Sequence, residues 1–185
     1  IFNATQTLKD FNQELSYTKD KSEADLMIVG GKVIDLDEFP NLKGIFKTGV
    51  GTDNLPFKEA QKRGIIIQLP SDETKEIIHN ETASYTLHLI LKFVYGNTGI
   101  FSTWQKNNRK SLRDYKVLIM GIGNIGRKLV NILSPICEVL TYDPLENNKE
   151  ELDQLLQKAD IVSLHMPLLP TTKHFFNQVK LSHLK

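Results

Sequence analysis

The segment Lys116–Gly126 constrains the fold of this chain more than any other. It begins with an apolar run typical of a buried strand, Lys116–Met120, and continues directly into Gly121-Ile122-Gly123-Asn124-Ile125-Gly126. Apolar residues then recur with helical spacing, at Ile125, Leu129, Ile132 and Leu133. A strand that turns through glycines into a helix is a unit of parallel α/β folds, which favours that class over all-α or all-β folds.

The glycine-rich stretch also has the features of a phosphate-binding turn. Gly121 permits the tight turn, Gly123 lets a pyrophosphate approach the backbone, and Gly126 lets the helix pack close to the strand. The N–H groups and the positive dipole end of a helix starting at Asn124 favour phosphates. Asp143 ends the next apolar run, about 20 residues after Gly121, where a carboxylate accepts hydrogen bonds from ribose hydroxyls. The sequence therefore predicts a dinucleotide site, with a glycine-rich turn that binds no ligand as the alternative.

The composition excludes several functional classes. The chain has 185 residues, with 23 basic against 22 acidic side chains. So balanced a charge lacks the basic field of nucleic-acid binding, and we expect no nucleic-acid partner. No apolar run approaches the roughly 18 residues of a membrane span, so we expect no membrane partner. The first residues do not resemble a secretory signal, and a lone Cys137 forms no internal disulfide, so we expect a cytoplasmic protein.

The first half of the chain alternates strand-like and helix-like segments. Three apolar runs predict buried strands: Ala24–Val29, Gly44–Thr48 and Ile65–Ile67. Between the last two, an early Pro56 and a late Gly64 mark the ends of a helix. Polar residues 71–81 predict a loop, and the apolar spacing from Ala83 to Val94 predicts a long helix.

The second half repeats the alternation after a polar stretch. The segment Gln105–Asp114 carries four basic residues and is interpreted as a solvated connector rather than a nucleic-acid patch. Further strands are predicted at Glu138–Tyr142 and Ile161–Leu164, with a helix over Asn148–Lys158 between them. We therefore predict two domains, residues 1–100 and 101–185.

The remaining titratable residues point to no metal site. The spacing of the five histidines matches no ligand pair; they are His79, His88, His165, His174 and His183. His88 is interpreted as a packed or interface residue, and Cys137 as a small core residue.

With these motifs in this order, the chain resembles the D-isomer-specific 2-hydroxyacid dehydrogenases, which include D-3-phosphoglycerate dehydrogenase. The similarity runs from about Ala24 to the end. Its anchors are Lys47-Thr48-Gly49-Val50-Gly51-Thr52-Asp53-Asn54, Thr82–Leu91, Trp104, Gly121–Gly126, Tyr142-Asp143-Pro144, Ala159–Leu168, Thr172 and His174.

The resemblance implies an α/β fold with two parts, a flavodoxin-like N-terminal substrate domain followed by an incomplete Rossmann domain that binds NAD. It implies that the backbone N–H groups of Val50 and Gly51 bind the substrate carboxylate. The implied cofactor-binding residues are Gly121, Gly123, Asn124, Ile125, Gly126, Asp143, Met166, Pro167 and Thr172. It also implies a homodimer in the full-length protein, with a linker and dimer-contact helix at about 82–95. Two departures concern the hinge: Ser84 replaces a usual glutamate, and residues 71–79 look longer than the usual connection.

The resemblance further implies hydride transfer between NAD and C2 of a D-2-hydroxy acid, with 3-phosphoglycerate as one candidate substrate. The family's catalytic arginine, glutamate and histidine lie beyond the segment that contains Thr172, and the chain stops at Lys185. We therefore assign no catalytic residue and no metal ligand here, and expect a fragment that is inactive by itself. His165 matches a histidine beside the cofactor loop and is not the proton-transfer residue. The alternative is a non-enzymatic, corepressor-like module that senses dinucleotides.

Overall fold

The computed structural model describes residues 1–5, 14–96, 108–146 and 148–184. The strands are β1 (Phe2–Asn3), β2 (Leu26–Val29), β3 (Gly44–Lys47), β4 (Ile66–Gln68), β5 (Lys116–Met120), β6 (Glu138–Tyr142) and β7 (Ile161–Leu164). The α-helices are α1 (Phe57–Lys62), α2 (Asp72–Tyr95), α3 (Asn124–Leu133), α4 (Lys149–Lys158) and α5 (Gln178–Leu181). These elements fall into two compact units, Ile1–Ile78 and His79–Lys185.

The first unit is built on a parallel sheet in the order β1-β2-β3-β4. A parallel bridge pairs Thr18 with Phe2, on the side of β1 opposite β2. With Thr18 counted as a strand position, the order along the chain is 2-1-3-4-5, the order of flavodoxin-like sheets.

One face of this sheet holds the core of the first unit. Met27, Val29 and Ile45 point to this face and pack with Leu36 and Ala60, all 2% exposed or less. Side chains alternate along a strand, so the next residues point to the opposite face. There Leu26, Phe46 and Ile66 are 47%, 44% and 71% exposed.

The second unit has a three-stranded parallel sheet in the order β6-β5-β7. Residues of β5 are buried on both faces, as the uninterrupted apolar run predicts. Val117 and Ile119 pack with α2 and α3, through residues such as Ala83 and Leu129. Leu118 and Met120 pack on the other face against Leu152 and Leu156 of α4. The sheet is therefore covered by helices on both faces.

The loop predicted at residues 71–81 is wrong, because α2 begins at Asp72. The Ser71 hydroxyl accepts a hydrogen bond from the Thr74 N–H at 3.2 Å, as an N-cap residue does. Acidic residues in the first turn favour the helix dipole, and the Lys75 ammonium lies 2.9 Å from the Asp72 carboxylate. Local capping and charge pairing thus make a helix of a segment without a continuous apolar stripe.

The predicted boundary near residue 100 and the anchor Trp104 lie outside the described residues. Ala83 and Ile90, in the helix predicted at 82–95, are buried in the core of the second unit. In the connector, the Lys110 ammonium lies 2.7 Å from the Asp160 carboxylate, and the Arg109 guanidinium lies 4.2 Å from the Tyr95 ring centre. Contacts within the protein thus occupy two of its basic side chains.

Candidate functional site

The strand order of the second unit creates a crevice at the carboxyl end of β5. The chain leaves β5 through α3 to reach β6 on one side, then crosses through α4 to β7 on the other. The loops that follow these strands diverge at such a switch point, which is where open α/β sheets bind ligands. The fingerprint Gly121–Gly126 lies at this crevice.

Two glycines of the fingerprint are required by close backbone contacts. Gly121 has a φ of +95°, and a Cβ there would lie 2.8 Å from the backbone of both His165 and Met166. A Cβ at Gly126 would overlap the carbonyl oxygen of Gly121. These two positions therefore hold the turn after β5 against α3 and against the loop after β7.

Gly123 differs from both, because a Cβ there would meet nothing within 4 Å. It is the N-cap residue of α3 and, having no side chain, makes no side-chain capping hydrogen bond. That turn, Asn124-Ile125-Gly126-Arg127, contains no acidic residue. Open space above a helix N-terminus that has neither a side-chain cap nor an acidic residue fits a phosphate group, since the helix dipole and its first N–H groups attract anions.

Asp143 joins the end of β6 to the glycine turn. Its carboxylate accepts a hydrogen bond from the Ile122 N–H at 2.9 Å and another from the Leu145 N–H at 3.0 Å. Each bond uses a different carboxylate oxygen, and a carboxylate oxygen can accept more than one hydrogen bond. Asp143 thus caps the turn that leads to Leu145 and holds its carboxylate beside the glycine turn.

The loop after β7 forms the opposite side of the crevice. Met166 packs against the core that contains Leu118 and Met120. The Thr172 hydroxyl donates to the carbonyl of Pro167 and accepts from the Leu169 N–H at 2.8 Å, which closes this loop on itself. Burial lowers the pKa of His165, whose ring lies 2.8 Å from the Ser163 hydroxyl, and so favours the neutral imidazole. The structure thus brings together the predicted cofactor residues of all three strand ends.

The predicted substrate residues Val50 and Gly51 lie in the first unit, in the loop that follows β3. Beneath that loop is a polar network that the sequence analysis did not assign. Lys47 and Asn54 are only 3% and 8% exposed, and the Lys47 ammonium donates to the Asn54 side-chain oxygen at 2.7 Å. The available signal was a lysine that closes an otherwise apolar strand.

Neither a metal site nor a membrane-spanning helix is found among the described residues. Across residues 1–5, 14–96, 108–146 and 148–184, no group of three or more His, Cys, Asp or Glu side chains is placed to hold a metal ion. Among the helices in those ranges, none has the length and apolar character needed to cross a bilayer.

Comparison with known proteins decides the family. Residues 83–185 match the model of the D-isomer specific 2-hydroxyacid dehydrogenase, NAD binding domain. The chain belongs to this family. The match covers β5, the fingerprint, Asp143 and the loop after β7, so the crevice lies inside the family's NAD-binding domain. The predicted cofactor, NAD, is confirmed, and so is the predicted α/β class with a Rossmann NAD-binding domain.

Curated relatives extend the similarity into the first unit. A D-specific alpha-keto acid dehydrogenase of Enterococcus faecalis is 32% identical over 155 residues, which cover 78% of this chain and 46% of that protein. A glyoxylate reductase of Thermofilum pendens is 29% identical, over 97% of this chain and 56% of that protein. The chain thus spans about half the length of these relatives.

Solved structures show the same fold. A D-lactate dehydrogenase from Aquifex aeolicus, crystallised with NAD and lactic acid, superposes with a TM-score of 0.72 over 100% of this chain and 65% of that one, at 24% identity. The TT0316 protein from Thermus thermophilus gives a TM-score of 0.70 over 89% of this chain and 58% of that one, at 26% identity.

Proposed function

We propose that this chain is part of an NAD-dependent oxidoreductase that interconverts a D-2-hydroxy acid and the corresponding 2-oxo acid. The observation that carries the proposal is the open position at Gly123 above the uncapped N-terminus of α3, inside the family's NAD-binding domain. NAD, when bound, supplies the nicotinamide ring that exchanges a hydride with C2 of the substrate.

The residues of this chain bind and orient the two reactants. The Asn124 and Ile125 N–H groups bind the pyrophosphate, and the Asp143 carboxylate binds the adenosine ribose. Met166, Pro167 and Thr172 line the cofactor groove. In the first unit, the Val50 and Gly51 N–H groups bind the substrate carboxylate.

The substrate is proposed at the level of a class, the small 2-hydroxy acids. Relatives are named for alpha-keto acids, glyoxylate, hydroxypyruvate, D-3-phosphoglycerate and formate. These names single out no one acid, so 3-phosphoglycerate remains one candidate among several.

The test is turnover by the complete protein that contains this chain. NADH oxidation is followed with glyoxylate, pyruvate, hydroxypyruvate and 3-phosphohydroxypyruvate, and NAD reduction is followed with formate. We expect reduction of at least one 2-oxo acid, and no turnover in the Gly123→Asp variant. If the protein binds NADH but reduces none of the four oxo acids and does not oxidise formate, the oxidoreductase proposal fails and the dinucleotide-sensing alternative replaces it. Turnover of formate alone would refute the 2-hydroxy acid as the substrate class.

We also propose that the complete protein is a homodimer that associates through α2. Tyr85, Leu89 and Phe93 recur every four residues along one side of α2 and are 63%, 46% and 70% exposed. Such a stripe of large apolar side chains is typical of an interface. Sedimentation should show a dimer for the wild type and a monomer for a Leu89→Asp, Phe93→Asp variant, and a dimer in both would refute this interface.

A further inference from the structure

Lys47 is a charged residue buried at the end of a strand. Its side chain is 3% exposed, and its ammonium donates hydrogen bonds to the Gly30 carbonyl at 2.6 Å and to the Asn54 side-chain oxygen at 2.7 Å. The Asn54 amide group in turn donates to the carbonyls of Gly30 and Lys32, at 3.0 and 2.5 Å. The two side chains thus form one network, in which the Gly30 carbonyl accepts from both.

This network connects three segments at the carboxyl edge of the first sheet. Gly30 and Lys32 follow β2, Lys47 ends β3, and Asn54 comes after the loop 48–53. The loop is also tied at its start, where the Thr48 N–H donates to the Val29 carbonyl at 2.9 Å. A Cβ at Gly49 would lie 4.0 Å from the Lys47 side chain, so the loop passes directly over the lysine. The loop is therefore held at its start by the Thr48 bond to β2, at its end by Asn54, and from beneath by Lys47.

Burying an ammonium group at this position costs desolvation free energy that an apolar side chain would not. Desolvation lowers the pKa of Lys47, and the nearby Asp53 carboxylate offsets only part of that effect. Apolar side chains of similar volume often replace buried charged groups without loss of stability. A charge kept under a loop that leads to an anion site therefore points to a role beyond packing.

We propose that Lys47 and Asn54 are positioning residues, which hold the loop 48–53 so that its Val50 and Gly51 N–H groups converge on a substrate carboxylate. The inference rests on the proposed function, since that function supplies the carboxylate. The network acts on substrate binding and leaves NAD binding, which belongs to the second unit, unchanged.

The test uses the complete protein with Lys47→Met, Asn54→Asp and Lys47→Arg. Lys43→Met is the matched control, because Lys43 is an exposed lysine next to the amino end of the same strand. Amide hydrogen exchange is measured at Val50 and Gly51 without ligand, and KM, kcat and the Kd of NADH are measured with glyoxylate or whichever oxo acid the protein reduces.

We expect Lys47→Met to exchange these two amides at least tenfold faster and to raise KM at least tenfold. We expect kcat and the Kd of NADH to stay within twofold of the wild type, because an interaction lost equally in the ground and transition states raises KM alone. Lys47→Arg, which keeps the charge and the donors, should have exchange rates and a KM close to those of the wild type.

The outcomes separate the two proposals. Turnover by the wild type combined with a Lys47→Met variant that exchanges and binds like Lys43→Met would overturn the positioning role alone. Absence of turnover with every oxo acid would refute the proposed function, and the substrate-positioning role with it. If Lys47→Met does not fold, Asn54→Asp tests the proposal instead, because it keeps an acceptor for Lys47 but loses the donors to Gly30 and Lys32. An unchanged KM and unchanged exchange rates in Asn54→Asp would overturn the proposal.

Discussion

At the scale of single residues, the three glycines of the turn after β5 differ in whether the fold requires the absence of a side chain. Gly121 and Gly126 are buried against backbone atoms, so any side chain there forces the backbone apart. Gly123 is exposed and has a φ of −77°, a conformation that any residue adopts. No contact among the described residues requires glycine at position 123, so a substitution there tests the proposed phosphate site without disturbing the fold.

This difference predicts effects of opposite sign on stability and binding for Gly123→Asp. The new carboxylate should cap α3 and interact with its dipole, so we expect unfolding to cost about 0.5–1 kcal/mol more. The same carboxylate occupies the phosphate position with a like charge, so NAD affinity should fall at least about 100-fold, or roughly 2.7 kcal/mol. Thermal unfolding and NAD titration measure the two effects.

The matched control for this prediction is Ser71→Asp, which places the same charge at the N-terminus of α2. It should leave NAD affinity unchanged. A Gly123→Asp protein that binds NAD as tightly as Ser71→Asp would show that the pyrophosphate lies elsewhere.

Asp143 has a structural and a proposed ligand-binding role, which different substitutions separate. Asp143→Ala loses the acceptors for the Ile122 and Leu145 N–H groups, and should destabilise the protein by about 1–3 kcal/mol. Asp143→Asn keeps one acceptor oxygen and removes the charge that would repel the 2′-phosphate of NADP. We expect the wild type to prefer NAD and Asp143→Asn to lose at least about tenfold of that preference, an effect of roughly 1.4 kcal/mol.

The measurement is kcat/KM with each cofactor in the complete protein, with Glu146→Gln as a control for the loss of one nearby negative charge. Equal use of NAD and NADP by the wild type, or an unchanged ratio in Asp143→Asn, would contradict the assignment of Asp143 to the ribose.

At this scale the sequence was sufficient to predict the importance of residues whose structural role depends on neighbouring backbone segments. Gly121, Gly126 and Asp143 follow from a strand, a turn and a helix that are close in sequence. The network of Lys47 and Asn54 could not be predicted from the sequence. Only the arrangement of β2 beside β3 buries the lysine and brings the Gly30 carbonyl to it. All the ligand-binding roles stay predictions, those of Val50 and Gly51 toward the substrate and those of Gly121, Gly123, Asn124, Ile125, Gly126, Asp143, Met166, Pro167 and Thr172 toward the cofactor.

At the scale of elements, the predictions were correct where a segment carries a clear local sequence signal. Strands β5, β6 and β7 have the predicted bounds, because each is a short apolar run between turn residues. Gly64 ends α1 with a φ of +70°, as its position after Lys62 and Arg63 indicates. The start of α2 was missed, because the apolar pattern is weak there and the capping and charge pairs that decide it are polar.

The start of α4 offers a test of such capping. The Asn148 side chain accepts from the Glu151 N–H at 2.9 Å, and the Glu151 carboxylate accepts from the Asn148 N–H at 3.1 Å. Asn148→Ala removes one bond of this capping box and should lower the free energy of unfolding by about 1 kcal/mol. Asn148→Asp, which keeps the acceptor, should retain stability.

Chemical denaturation measures both variants, with Gln157→Ala at an exposed position of the same helix as the control. If Asn148→Ala is as stable as the control, then α4 owes its start to packing of Leu152 and Leu156 instead.

At the scale of the whole molecule, the two units have separate hydrophobic cores. Met27, Leu36 and Ile45 are buried in the first unit, and Leu118, Leu129 and Leu156 in the second. Fold class was predictable from the alternation of strands and helices. Strand order was not, since nothing in the sequence places β7 beside β5 instead of β6; that choice depends on how α4 packs across the sheet.

Separate cores predict that NAD stabilises the two units unequally. The proposed cofactor contacts of this chain lie in the second unit, from the turn after β5 to the loop after β7. A ligand that binds only the folded state stabilises it by about 2.7 kcal/mol at 100 times its Kd. Hydrogen exchange should therefore slow at buried amides of β5 and α3, such as Ile119 and Leu129, by up to about 100-fold, and remain unchanged at Met27 and Ile45. In Gly123→Asp the protection should disappear, whereas equal protection of all four amides would mean that the two units unfold as one.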